Sequence, residues 1–190
     1  MATDVRDSLL WQLEIAWKLA TYHLNSLTTE ECLWRPSFVG LHVWKNARGE
    51  WVADWPEQET YDIGPPSIAW VTWHMGFWWS MVLDHSFGTS ALRREDVLRS
   101  GGADATRAWL GSLHSQWLDN VQDLPVEDVE GSRLTRWPFQ GRPFRDVVAW
   151  ANLELAKNAA EIGYARFLYA SRSVVQQSVP GDAPASRECL

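Results

Sequence analysis

Five residues on two segments of the sequence could do chemistry together. His74 lies in the run 65–79, the densest apolar mass of the chain, and Glu154, Lys157, Asn158 and Glu161 lie within 150–163. In the first segment Trp70, Trp73, His74, Phe77, Met81 and Asp84 recur at the three- and four-residue steps of one helical face. An imidazole placed there among indoles is either a core residue bonded to a neighbour or a ligand or acid/base in a pocket. In the second segment Glu154, Asn158 and Glu161 form a narrow stripe at i, i+4 and i+7, with Lys157 beside it.

The stripe has two readings. Glu154 with Lys157 and Lys157 with Glu161 are spaced as ion pairs of an exposed helix face, each contributing about 0.3–0.5 kcal/mol. Alternatively the stripe faces His74 across the interior and makes a polar cavity, because a carboxylate cannot remain charged in a dry core without a partner or water.

Helical periodicity supplies the elements that would position these groups. A first amphipathic helix is expected over residues 4–26, buried along Leu9, Leu13, Ala16, Trp17, Ala20 and Leu24. Thr28 followed by Glu31 is a capping-box pattern for a short turn before Pro36. Residues 41–45 and 50–55 flank a glycine-containing turn and read as two short strands. This aromatic insertion either lines a pocket mouth through His42, Trp44, Trp51 and Trp55 or caps the end of a bundle. Pro65 and Pro66 suit the first turn of a second helix that stops at Gly88. A third helix is expected over 104–123 and a fourth over 143–171, apolar around most of its circumference and hence mostly buried. Two further histidines, His23 near the end of the first helix and His114 beside the third helix's stripe, read as solvated.

The chain as a whole is ordinary in charge and unusual in aromatics. Its 190 residues fit one domain over 1–172, with a Ser-, Pro- and Gly-rich stretch at 173–190 expected to be disordered. Fourteen tryptophans predict a bulky core with irregular gaps. The net charge of −7 lacks the basic surface that nucleic-acid binding needs. Neither a leader pattern nor an apolar run of about 18 residues is present, which predicts a cytoplasmic protein without a membrane partner. Cys32 and Cys189 suggest neither a disulfide nor a cysteine metal site.

Trp70-Val71-Thr72-Trp73-His74, with 150–163 and the following Arg166-Phe167-Leu168-Tyr169, resembles the DinB-like superfamily, closest to a branch with a Trp-rich segment such as Trp51 to Trp55. The resemblance implies an all-α, up-down-down-up four-helix bundle, with the aromatic hairpin inserted between helices one and two, and often a homodimer. It further implies a divalent metal, zinc or nickel, held by one histidine of the second helix and two of the fourth. His74 matches the first position, while the other two fall on Glu154 and Asn158, a degenerate triad that can hold an ion only weakly. Three functions follow. The preferred one is small-molecule binding in a pocket around His74, Glu154, Lys157, Asn158 and Glu161. The resemblance also implies a metal-dependent transferase or isomerase using a low-molecular-weight thiol. The third is a non-catalytic dimeric interaction protein.

Overall fold

A computed structural model describes residues 5–58, 60–99 and 101–177, with side chains to 172. Four long helices, α1 (Val5–Leu24), α3 (Ile68–Phe87), α4 (Ala103–Gln122) and α6 (Phe144–Gln177), form the bundle. Two single turns, α2 (Thr29–Leu33) and α5 (Val126–Glu130), sit in the connections. A two-stranded hairpin, β1 (Val43–Lys45) and β2 (Trp51–Ala53), stands between α1 and α3 as expected. Its strands pair antiparallel with Trp44 opposite Val52. The last helix outlasts its expected end by six residues, and residues 178–190 of the expected tail lie outside the described residues.

Contacts along the helices fix their directions. Asn152 reaches the Leu9 carbonyl and Arg166 the His23 carbonyl, so α1 and α6 run parallel. Trp79 meets the ring of His114, and Phe87 that of Trp117, so α3 and α4 run parallel as well. Trp17 stacks on His114 while Arg107 reaches back to Leu24, which sets α1 against α4. The order is therefore up-down-down-up.

At the centre is α3, fifteen of whose twenty residues are buried. Its apolar side chains cover every face, so no single stripe defines it. Two expectations fail at its ends. Pro65 and Pro66 precede the helix instead of forming its first turn, because the Ser67 hydroxyl accepts the Trp70 N–H and sets the cap. Asp84 does not join the core face: its carboxylate accepts the backbone N–H groups of Thr89 and Leu92 and ties down the following loop.

Surrounding loops answer two of the four indole N–H groups of α3, while that of Trp79 has no partner among the described residues. Trp70 donates to the Asp54 carbonyl at 2.7 Å, and Trp73 to the Val97 carbonyl at 2.8 Å. The hairpin and the turn before α4 are thus anchored to the helix they cover. Thr28 caps α2 by accepting the Glu31 N–H, but the Glu31 carboxylate takes Arg166 of α6 at 2.8 Å instead of completing the capping box. Arg166 is thereby a structural clamp between α6 and the end of α1.

Close approach of α3 and α4 depends on Gly76. A Cβ there would fall about 1.9 Å from the Trp109 ring, well inside contact distance. Gly76→Ala should therefore lose about 1–2 kcal/mol of unfolding free energy in urea denaturation, the overlap outweighing alanine's better helix propensity. In a Trp109→Ala background the same change should be neutral or stabilising.

Candidate functional site

His74 occupies the edge of the aromatic layer, where α3 faces the polar stripe of α6. The Trp70 indole stacks on its imidazole, with centroids 5.1 Å apart and planes 8° from parallel. Its Nδ1 is buried without a hydrogen-bond partner among the described residues. Opposite, Asn158 is almost completely buried: its Oδ1 accepts the Trp78 indole N–H at 3.1 Å, and its Nδ2 donates to Glu161 Oε2 at 2.8 Å. Lys157 pairs with Glu154 at 2.7 Å.

These groups open into a pocket of about 670 Å³. His74, Lys157, Asn158 and Glu161 line its inner side, with the Trp70 ring beside them. Glu154 stands behind Lys157 as its counter-ion. Both readings of the stripe thus hold in part, since the Glu154–Lys157 pair exists at the border of a cavity that Asn158 and His74 share.

The outer wall was not legible as site residues. Leu41, Tyr61, Ile63 and the backbone of the loop through Pro65 and Pro66 close the pocket there. The one available signal was position: a proline-rich segment directly ahead of α3 must pass the first turns of that helix, where Trp70 and His74 lie. The four aromatic residues considered for the pocket mouth take other places. His42 is buried, Trp44 donates to Asp54, Trp51 lies under Arg99, and Trp55 packs edge-on against Phe77 under Arg94. The hairpin therefore caps the bundle end. His114 is not solvated as expected but stacked on Trp17 with centroids 4.3 Å apart. His23 lies over Gly163, whose missing side chain makes room for its ring.

Burial, chiefly, together with the Lys157 ammonium lowers the His74 pKa to about 4, outweighing the opposing Glu154 charge and Asn158 hydrogen bond. The ring is therefore neutral at pH 7, with one nitrogen able to donate and the other to accept. A base so weak is poorly matched to proton abstraction near neutrality, where catalytic groups titrate close to the working pH. The arrangement suits the binding of an uncharged hydroxyl or amide.

The donor set does not fit a divalent metal centre. Asn158 has both ends of its amide engaged, Glu154 holds Lys157, and the lysine ammonium shares the pocket with His74 and repels a cation. Among the described residues no three His, Cys, Asp or Glu side chains converge at metal-binding distances. Nor is any described helix long and apolar enough to cross a membrane.

A family model described as the DinB superfamily matches residues 12–162. Neither the curated proteins nor the solved structures gave a match.

The lowered His74 pKa has a definite consequence for stability. Between pH 6.5 and about 4 the unfolded chain binds a proton at this ring that the folded chain does not, so stability falls on acidification through that window and levels off below it. Wild type should lose roughly 2–3 kcal/mol more than His74→Gln over that interval. In NMR the His74 ring signals should stay those of neutral imidazole down to pH 5, and an inflection near 6.5 would show the ring to be solvated.

Proposed function

The chain belongs to the DinB superfamily, and on that premise we propose that it binds a small molecule in the pocket between α3 and α6. The observation that carries this reading is the half-buried, neutral imidazole of His74, stacked on Trp70 and lining a cavity of about 670 Å³. A ligand hydroxyl or amide that meets the exposed edge of this ring gains a hydrogen bond of about 0.5–1.5 kcal/mol. The volume is that of an ordinary small-molecule site.

The lining divides the ligand into parts. Trp70, Leu41, Ile63 and the prolines offer an apolar slot for a ring or a branched aliphatic group. His74 takes an uncharged polar group at the inner end. Lys157 and Glu161 line the same α6 side of the pocket, where their opposite charges accept a polar tail of either sign only weakly, since each already has a partner. Metal-dependent transfer of a low-molecular-weight thiol would need a Lewis acid to lower the thiol's pKa, and the residues around His74 do not assemble one.

Native mass spectrometry with metal analysis of gently purified protein tests the proposal. Wild type should carry a small organic adduct that His74→Ala loses or binds at least tenfold more weakly, with metal well below one equivalent in both. Near-stoichiometric metal that disappears in His74→Ala would instead favour the thiol-transfer reading. If no adduct is found and a fragment library moves neither the Trp70 indole nor the His74 ring signals in NMR, the binding proposal fails.

A further inference from the structure

A second hollow, sharing no residue with the His74 pocket, lies where α1 faces α4. Arginines strap these helices together at both ends: Arg6 donates to the Leu124 carbonyl at 2.6 Å, and Arg107 to the Leu24 and Leu27 carbonyls at 3.2 and 3.0 Å. Between the straps the Trp17 and His114 rings stack across the gap, held from behind by Trp79, which meets both edge-on and is fully buried. On the Arg6 side of this stack a groove of about 470 Å³ stays open, with Leu10, Leu13 and Leu118 as its walls.

Charge enters this groove from α1 alone. Asp7, Trp11, Glu14 and Lys18 follow at i, i+4, i+7 and i+11 along its border. Lys18 holds Glu14 at 2.6 Å, so these two cancel, whereas Asp7 has no ion-pair partner among the described residues. Across the groove Leu118 carries no charge, and burial lowers the His114 pKa, which keeps its ring neutral at pH 7. The groove is thus an apolar slot with one uncompensated negative charge at its rim, in a chain whose net charge of −7 already favours cations. One turn along α1 from that carboxylate, the Trp11 side chain is 64% exposed, and the face of an indole attracts a cation.

We propose that this groove binds an aromatic amine in its ammonium form, the ring among the leucines against the Trp17–His114 stack and the ammonium at Asp7 and Trp11. The volume is ample for a bicyclic ring with a short aminoalkyl arm. Burial of the ring supplies most of the affinity, and the carboxylate selects the sign of the arm, since an exposed ion pair contributes little by itself. A neutral arm leaves Asp7 to water, and a carboxylate arm is repelled by it. Nothing in this site depends on the pocket between α3 and α6.

NMR titration of the full chain with tryptamine, tryptophol and indole-3-propionate, which share one ring and differ in the charge of the arm, tests this. Tryptamine should move the Trp17 indole and His114 ring signals and saturate at roughly millimolar concentration. Tryptophol should bind about threefold more weakly and indole-3-propionate at least about tenfold more weakly, with the differences shrinking as salt is raised. Asp7→Asn should reduce tryptamine to the affinity of tryptophol and leave tryptophol unchanged, while Lys18→Gln, which frees Glu14, should tighten tryptamine about threefold. Both side chains are exposed, so far-UV CD should not change. The proposal is overturned if tryptamine moves neither Trp17 nor His114, if it moves only Trp70 and His74, if the three ligands bind equally, or if Asp7→Asn binds tryptamine as wild type does. Should a variant fail to fold, the comparison of the three ligands on wild type alone gives the decision.

Discussion

The arrangement of this molecule follows from one constraint, that α3 has no face it can leave in water. Trp70, Trp73, Trp78 and Trp79 point to different sides of one helix, and all four are nearly or fully buried. Each indole removes on the order of 200 Å² of apolar surface from solvent and brings an N–H that wants an acceptor. The other three long helices cannot close every side by themselves, so the hairpin and the turn before α4 cover the N-terminal half and offer the Asp54 and Val97 carbonyls to Trp70 and Trp73. Where a wide ring on the neighbouring helix must come close, α3 gives way and has glycine, as at Gly76 under Trp109.

The pocket is a consequence of the same constraint at the place where it is met least completely. Trp78 points toward α6 and needs an acceptor for its N–H, which Asn158 supplies from the polar stripe. An amide used in that way must satisfy its other end, and Glu161 does so. Glu161 and Lys157 need water or partners in turn, so the stripe opens a gap that indoles cannot fill. His74 lies at the border of that gap, stacked on Trp70 on one face and facing polar groups beyond. The site residues are thus partly structural: Asn158 holds Trp78 in place, which is why it is unfit to coordinate a metal at the same time.

Much of this was readable from residue spacing. The limits of the long helices fell within a few residues of 4–26, 104–123 and the start of 143–171, because apolar periodicity and terminal Gly, Pro and hydroxyl residues agree there. His74 and the 154–161 stripe were also legible, as polar exceptions in apolar helices. Other features depend on contacts that no local pattern encodes. Glu31 looked like the acid of a capping box and instead serves Arg166, a residue distant in sequence. His114 looked solvated because nothing near it in sequence says that Trp17 will stack on it. The wall around Leu41, Tyr61 and Ile63 has no chemical signature of its own and becomes part of the site only once the loop is folded over α3.

The fourth bundle helix shows what hydropathy leaves open. Apolar residues around most of the circumference predict a mostly buried helix but not which row stays out: Leu153, Tyr164 and Phe167 face outward, while Lys157, Asn158 and Glu161 border the inner pocket. Periodicity records how many faces are apolar but not what covers each one. One side of α6 is covered within the chain by α1, another by α3, and the third faces outward together with the outer row of α1. The helix is thus mostly buried, as inferred from sequence, with one exposed row along its length. The inner polar stripe and the outer apolar face are two features of one helix. The first borders the cavity beside His74, and the second puts Leu153, Tyr164 and Phe167 at the surface.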